Sequence, residues 1–499
     1  MIEQLIQGTW LILEPANLMA VIFGTVAGII IGALPGLNAP MGIALLIPFT
    51  FTMKPIPAMV MLTALYCGST YGGSITAILV NAPGTGAAAA TTFDGYPMAQ
   101  KGQAGKALGM ACIASWIGGT FSVVVLILLA PQLAGYALQF GPAEYFSLSL
   151  FGLSMLSSIS KESTVKNIIG GLAGVLLAMV GMEEVSGFSR FDFGVPDLMH
   201  GISYIPVMIG LFAGAEVFRL LGRTAAPQLR VKDVSIALPT WAEIKEVRAT
   251  LIRSSLIGTY IGILPAEGGT IASFIGYNEA KRFSKHPEKF GTGILEGVAA
   301  PETANNAATG GAMVPTLALG IPGSGSTAVI LGAMTIQGLR PGPLLFVQNA
   351  DLVNALFIGM FLANFVFLGL GLVGAKLFAK VVLIPRHILI PIIMVLCMVG
   401  SYALNNSMVD AWIMMIASVV GYYMHRHGFG AAPIVLGLVL GRLIEDNFRR
   451  ALIMFHNDVS PFFTRPYSLL FIVLTVIGFA WPYLRELWSK RKEASAGTA

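Results

Sequence analysis

The sequence predicts an all-α polytopic membrane protein: about 10–12 transmembrane helices with added re-entrant or broken helices, organised as two inverted-topology repeats. Three observations carry this. Charged residues are 11% of the 499 and hydrophobic residues 55%, with a mean hydropathy of +0.77, whereas soluble domains hold about a quarter charged residues. Apolar runs near the 20 or so residues that cross a bilayer recur along nearly the whole chain. Finally, glycine and proline break two such runs at matching places.

The clearest spans are Asn17 to Ala33, Ala107 to Leu129, Ile202 to Leu221, Leu352 to Leu377, Ile388 to Leu404, Ala411 to Met424 and Tyr467 to Leu484. Their continuous apolarity excludes a transmembrane β-barrel, whose strands alternate. No Lys or Arg precedes Lys54, so the start lacks the basic region of a signal peptide and the first helix is expected to stay. Cys67, Cys112 and Cys397 sit in apolar segments without metal-ligand or paired spacing and read as packing residues.

Loop charge sets the orientation. The connection Arg219 to Arg253 holds Arg219, Arg223, Arg230, Lys232, Lys245, Arg248 and Arg253, and the tail holds Arg485, Lys490, Arg491 and Lys492, whereas residues 1–16 carry Glu3 and Glu14 and nothing basic. The positive-inside rule places the connection and the C-terminus in the cytoplasm and the N-terminus outside. The first half then crosses an odd number of times, and a similar second half is inserted upside down. Expected boundaries are an N-terminal segment 1–16, a first repeat 17–221, a basic connection 222–249, a second repeat 250–465, and a C-terminal helix and tail 466–499. Basic residues spread over many connections speak against nucleic-acid binding.

The halves resemble each other. "GIIIGALPGLN" (Gly28 to Asn38) aligns with "GTYIGILPAEG" (Gly258 to Gly268), and "YGGSITAILVNAPGTG" (Tyr71 to Gly86) with "TGGAMVPTLALGIPGSG" (Thr309 to Gly325). Paired broken helices of opposite insertion point to a secondary-transporter binding site. A helix broken at membrane depth must line protein or a water-filled cavity, because lipid satisfies no free N–H or C=O. The half-helix after each break turns its positive end toward an anion. The expected anion site is Gly36, Asn38, Asn81, Gly84, Thr85 and Gly86 from the first half, with Gly268, Gly269, Thr270, Gly323, Ser324, Gly325, Ser326 and Thr327 from the second. Gly28, Gly32, Gly258 and Gly262, and the run Ala87 to Thr92, read instead as helix-packing faces.

In "APETANNAATGG" (Ala300 to Gly311), Pro301 suits a first helical turn and Glu302 its positive end. Helical spacing then aligns Glu302, Asn305 or Asn306, and Thr309 as a candidate sodium site. The alternative is that Pro301 marks the membrane surface and Glu302 is hydrated. The first half has no acidic counterpart, with Ala64, Cys67 and Gly68 in the aligned positions.

Other polar features read as structural. Asp94 in "DGYP" and the later "GLRPGP" look like surface turns, His425 and His427 look interfacial, and Glu445 and Asp446 beside Arg442, Arg449 and Arg450 look like a solvated charge cluster. No P-loop and no His-Glu-x-x-His motif occurs, and the break serines lack a histidine partner. An enzyme, such as an intramembrane hydrolase, is therefore not expected, and neither is a channel, since charge rings and repeated filter loops are missing.

The segments "GALPGLNAPMGIALLIPFTF", "YGGSITAILVNAPGTG", "GILPAEGGTIASFIGYNEAKRFSK" and "FGTGILEGVAAPETANNAATGGAMVPTLALGIPGSGSTAVILGAMTIQGLRPGP" resemble the large membrane subunit of the tripartite tricarboxylate transporters, the TctA family, and the likeness runs over nearly the whole chain. The resemblance implies a multi-pass carboxylate importer of the bacterial inner membrane. It implies as partners a small membrane subunit and a periplasmic solute-binding protein, and an ion gradient, sodium or protons, in place of ATP. No organic cofactor is expected. A stand-alone organic-anion transporter is the other expectation.

Overall fold

The computed structural model describes residues 2–34, 36–155, 164–183, 187–222, 238–264, 268–381 and 386–480. The basic tail and Arg223, Arg230 and Lys232 of the long connection lie outside these residues.

The chain opens with α1 (Ile2–Leu13) and α2 (Pro15–Ala33). Pro15 occupies the first turn of α2, where a missing N–H costs nothing. After the first Leu-Pro break come α3 (Ala39–Thr50) and α4 (Pro55–Val80), a 3-10 turn at Gly86–Ala89, then α5 (Thr92–Gln100) and α6 (Ala104–Ala137). Next are α7 (Pro142–Ser154), α8 (Thr164–Ala178) and two antiparallel two-residue strands, β1 (Gly181–Met182) and β2 (Ser189–Arg190). α9 (Tyr204–Met208) continues through a π-helical turn, Ile209–Gly214, into α10 (Ala215–Leu221). The second half repeats the plan of the first. α11 (Trp241–Glu246) leads to α12 (Arg248–Ile263), the second Leu-Pro break, α13 (Gly268–Phe283) and α14 (Leu295–Leu319), then the second Pro-Gly break, α15 (Gly325–Ile336), α16 (Pro343–Gln348) and α17 (Ala350–Val381). The chain continues with α18 (Arg386–Asn405), α19 (Met408–Arg426), α20 (Ala431–Met454) and α21 (Pro461–Thr464), and a final apolar helix, α22 (Pro466–Ala480).

Among the described residues, five helices are long and apolar enough to cross a membrane: Pro15–Ala33, Ala104–Ala137, Tyr204–Leu221, Ala350–Gly374 and His387–Asn405, with shorter apolar helices between them. The protein is an all-α, multi-pass membrane protein. By compactness it divides into two units, Met1–Gly135 with Ile205–Tyr422, and Tyr136–Tyr204 with Tyr423–Ala499.

The centre of the first unit is α4 and α14. Every residue of α4 from Ala58 to Ile78, and every residue of α14 from Gly297 to Ala318, is buried. Helices covered on all sides need no apolar stripe, and their Gly, Ala, Ser and Thr permit close contact. α2 lies against α4 so closely that a Cβ on Gly28 would stand 2.4 Å from Leu65 O, and one on Gly32 2.2 Å from Ser69 O. In the second half α12 approaches α14 in the same way, through Gly258 at 2.2 Å from Ala304 O and Gly262 at 2.6 Å from Ala308 O. These four glycines are packing positions, as their sequence pattern suggests.

α4 and α14 pack together and run antiparallel, as two bonds show. Beyond the end of α4, Asp94 of α5 bonds the residues just before α14, Gly291, Gly293 and Ile294. Beyond the end of α14, Gln337 Nε2 donates to Thr50 O, just before α4, at 2.7 Å. Each half thus reaches round to the start of the other, the arrangement of inverted repeats.

Two expectations need correction here. Asp94 is not in a surface turn. It lies within α5, fully buried, and Oδ1 accepts from the N–H groups of Gly291 (3.0 Å), Gly293 (2.8 Å) and Ile294 (3.0 Å) while Oδ2 accepts from Tyr277 Oη at 2.8 Å. Pro301 does not open a helix: α14 begins at Leu295 and Pro301 is inside it, forgoing one backbone bond that tertiary burial offsets.

In the second unit, α8 and α20 also meet through glycine, with a Cβ on Gly437 only 2.0 Å from Gly171 O. Glu445 and its neighbours are more than a solvated cluster. Arg190 of β2 grips Glu445 with both Nη groups at 2.7 and 2.9 Å, and Arg449 pairs with Glu445 and with buried Glu183. These ions fasten the strand pair to α20 because a bidentate guanidinium fork fixes geometry as well as charge.

Candidate functional site

Both Pro-Gly breaks are built alike. α4 ends at Asn81 (φ 54°) and α14 at Gly320 (φ 72°), both left-handed. The N–H groups of Asn81 and Ala82 fold back to Thr76 O, and those of Gly320 and Ile321 to Pro315 O. Asn and Gly are the residues that tolerate this conformation, which explains the sequence at each break. A helix N-terminus follows each one. Thr85 Oγ1 accepts from Ala88 N at 3.3 Å to cap the 3-10 turn. Ser324 caps α15 reciprocally, accepting from Thr327 N at 3.3 Å while its own N–H donates to Thr327 Oγ1 at 2.9 Å.

The breaks pair crosswise between the halves. The N-terminus of α3, capped by Asn38 through Met41 N at 3.1 Å, meets that of α15. There a Cβ on Gly325 would lie 3.5 Å from Pro40 Cγ, and Tyr66 Oη and Ser324 Oγ share a hydrogen bond of 3.3 Å. The N-terminus of α13 meets the 3-10 turn after the first break. A Cβ on Gly86 would stand 3.4 Å from Thr270 Oγ1, and one on Gly269 3.6 Å from Ala87 Cβ and 2.9 Å from Asn305 Oδ1. Two cradles result, one of Asn38, Ser324, Gly325 and Tyr66, the other of Gly86, Gly268, Gly269, Thr270 and Asn305. Positive helix ends in both suit negative groups.

Other expected site residues lie beside the cradles. Gly84 and Gly323 are packing positions, with a Cβ 1.9 Å from Gly32 O and 2.7 Å from Ala312 Cα respectively. Ser326 and Thr327 are buried in the first turn of α15, and Asn81 is exposed at its cap. Gly36 has φ +100°, and a Cβ there would fall 2.5 Å from Glu216 Oε1.

Glu302 is fully buried, so it is not hydrated at a surface. Its Oε1 accepts from Thr91 Oγ1 at 2.5 Å and Oε2 from Ser115 Oγ at 3.1 Å. Asn306 Nδ2 donates to Ser115 Oγ (2.8 Å) and to Glu302 O (3.1 Å). A backbone carbonyl only accepts, so this contact fixes which way the amide faces. Thr309 Oγ1 donates to Asn306 O at 2.7 Å. Glu302 and Asn306 therefore share one network through Ser115, Thr309 bonds back onto its own helix, and Asn305 faces the second cradle. Among the described residues no basic side chain pairs with Glu302, and no cluster of three or more His, Cys, Asp or Glu forms a metal centre.

Sequence reasoning missed Tyr66, Thr91, Ser115 and Glu216. Glu216 is buried beside Gly36 and pairs with Arg219 at 3.0 Å. An ionisable residue inside the apolar run Ile202 to Leu221 was the available signal. The hydroxyls gave none, since buried Ser and Thr more often bond their own helix. A cavity of about 720 Å³ lined by Glu14, Asn17, Lys54, Leu339, Asn349 and Asp351 holds none of the break residues. The site is made of helix ends instead.

A family model described as the tripartite tricarboxylate transporter TctA family matches residues 18–436. The chain belongs to the TctA family. Both broken helix pairs and the Glu302 network lie inside the matched portion, so this TctA protein is a membrane component of a transporter. A protein from Agrobacterium vitis described as an uncharacterized 52.8 kDa protein in the TAR-I ttuC′ 3′ region is 38% identical over 481 residues, 96% of this chain and 95% of that protein. A second Agrobacterium vitis protein, from the TAR-II ttuC′ 3′ region, is 37% identical over 236 residues, 47% of this chain and 98% of the relative. No solved structure matches.

Proposed function

We propose that this TctA chain imports a di- or tricarboxylate across the bacterial inner membrane, driven by a cation gradient, after a periplasmic solute-binding protein delivers the substrate, and that it works with a small membrane subunit. The observation that carries the reading is the crosswise meeting of the breaks, where Gly325 stands against Pro40 and Gly86 against Thr270. Two groups of helix N-termini drawn from opposite halves suit carboxylates at both ends of a polyanion.

The orientation follows from charge. With the connection holding Lys245, Arg248 and Arg253 in the cytoplasm, the α12–α13 hairpin enters from inside and the α2–α3 hairpin from outside. The cradles then meet at depth, open in turn to either face as one substructure moves. The C-terminus lies in the cytoplasm.

Energetics require the cation. Bringing in one negative charge against 100 mV costs about 2.3 kcal/mol, and a trivalent anion about 7. Glu302 is the fixed charge that a sodium ion or proton neutralises, and Thr91 links it to the segment following the first break. Sodium is the cation we favour.

The test is uptake of labelled citrate, succinate and acetate into proteoliposomes holding the whole membrane complex, with sodium and voltage imposed separately. Sodium-driven uptake of the polycarboxylates that requires the binding protein is the expected result. Uptake independent of that protein would mean a stand-alone transporter, and no uptake of any acid by an intact complex would overturn the assignment.

A further inference from the structure

The segment joining α8 to α9 holds out two aromatic rings that transport does not use. Phe191 is 57% exposed and Phe193 80%, and both have left-handed backbone, at φ 54° and 49°, a conformation that bulky side chains rarely adopt. The turn is nonetheless firmly built. Asp192 Oδ2 accepts from Ser189 Oγ at 2.5 Å, Asp192 Oδ1 from Gly194 N at 3.1 Å, and Asp192 O from Val195 N at 2.9 Å. The segment is fastened to α20 twice, by the Arg190 fork on Glu445 and by Arg442 Nη2 donating to Ile202 O at 3.3 Å. Strained backbone persists only where its surroundings fix it, so the exposure of the rings is built into the turn.

α8 gives the depth of this turn. Near its start, Lys166 Nζ donates to His427 O at 2.6 Å, which marks one polar edge of the membrane. From Lys166 to the end of α8 at Ala178 the helix climbs about 18 Å, against roughly 30 Å of hydrocarbon. One face of α8 packs on α20, where a Cβ on Gly174 would lie 2.1 Å from Ile434 O. Val165, Ile169, Leu172 and Leu176, spaced as one helical face, are exposed, and in a membrane protein such a stripe faces acyl chains. The chain passes from this stripe directly into β1, where Met182 is again exposed, and on to the two rings.

We propose that Phe191 and Phe193 enter the bilayer at the boundary of headgroups and acyl chains, on the membrane edge opposite Lys166, and so make this turn a lipid anchor of the second unit. Rings that are unfavourable in water are accommodated there. The turn has the two-sided character of an interfacial segment: Arg190 and Glu445 pair on the side of α20, while the rings stand away from the protein. Arg190 is spent on Glu445 and Asp197 of the same segment is exposed, so the attraction is to acyl chains and not to anionic headgroups.

Nitroxide labels test the depth. Phe193→Cys and, separately, Phe191→Cys would be labelled in the purified membrane complex, where the native Cys67, Cys112 and Cys397 are buried, and reconstituted in phosphatidylcholine vesicles. Electron paramagnetic resonance then compares collisions with oxygen, which concentrates in the bilayer, and with a nickel chelate, which stays in water. His286→Cys, at an exposed position beyond the end of α13, is the reference. The oxygen-to-nickel ratio at both ring positions should exceed that at His286→Cys several-fold. It should be the same in this chain reconstituted alone, and should not change when anionic lipid is added. Each variant keeps the other ring, so loss of the turn in one leaves the second as the test. Labels at both positions that the nickel chelate reaches as readily as at His286→Cys would overturn the anchor. So would labels open to nickel in the chain alone and shielded from both reagents only in the complex, because a protein then covers the turn.

Discussion

Thr91 donates to Glu302 at 2.5 Å across 211 residues of sequence, joining the segment after the first break to the middle of the helix before the second. Glu302→Gln keeps the volume but removes the charge and turns an N–H₂ toward one of the two donor hydroxyls. We expect it to assemble, to lose about 1–3 kcal/mol of stability, and to abolish the sodium dependence of uptake, read from uptake rate against sodium concentration.

Asp94 ties the end of the first half to the start of α14. Asp94→Asn places an N–H₂ against backbone N–H groups, so at least one charge-assisted bond is lost and a donor faces a donor. The expected cost is about 2–4 kcal/mol, whereas Tyr277→Phe, which removes a single bond, should cost about 1. Thermal unfolding of the two purified variants checks the order.

Close helix contact gives a third expectation. A Cβ on Gly28 meets backbone 2.4 Å away, which cannot yield as a flexible side chain does, while Gly369 on α17 has nothing within 4 Å. Gly28→Ala should destabilise by about 1–3 kcal/mol through overpacking, and Gly369→Ala should be neutral or gain up to about 1 through helix propensity. Equal melting temperatures for the two would contradict the packing described.

Much of this was legible in the sequence, and the misses have physical causes. The fold class and the paired breaks could be read because Pro and Gly interrupt apolar runs at matching places, and the Asn81 and Gly320 caps then form as their types require. α4 and α14 were not picked out as spans because Gly, Ser and Thr in both, and Glu302, Asn305 and Asn306 in α14, interrupt their apolar runs. Asp94 was misread since "DGYP" displays local turn chemistry, while its partners Gly291 to Ile294 lie some 200 residues on. The crosswise pairing of breaks could not be read at all, because symmetry within a sequence does not say which copy touches which.

Outside the membrane-spanning segments, Glu243 carries a pH prediction. Its carboxylate pairs with Lys106 and accepts from Thr240 N and Oγ1, both at 2.9 Å, and these contacts, the Lys106 pair foremost, hold its pKa below the ordinary carboxylate value. A carboxyl depressed by folding stabilises above its unfolded pKa, and that contribution fades as pH falls through the folded value. Glu243→Gln should therefore destabilise at about pH 7 by under about 1 kcal/mol for a partly exposed pair, read as a slightly lower melting temperature. The difference should shrink as pH falls below the ordinary carboxylate value and through the depressed pKa of Glu243.

The most direct test of the central claim, that a carboxylate sits between crossed helix ends, is substrate protection at both cradles. Single cysteines introduced by Thr270→Cys and, separately, Gly325→Cys would be labelled with a small thiol reagent in the reconstituted complex, since the native Cys67, Cys112 and Cys397 are buried. The account predicts that saturating citrate slows labelling at both positions. Labelling at both positions that ignores citrate, in complexes that still take citrate up, would contradict it.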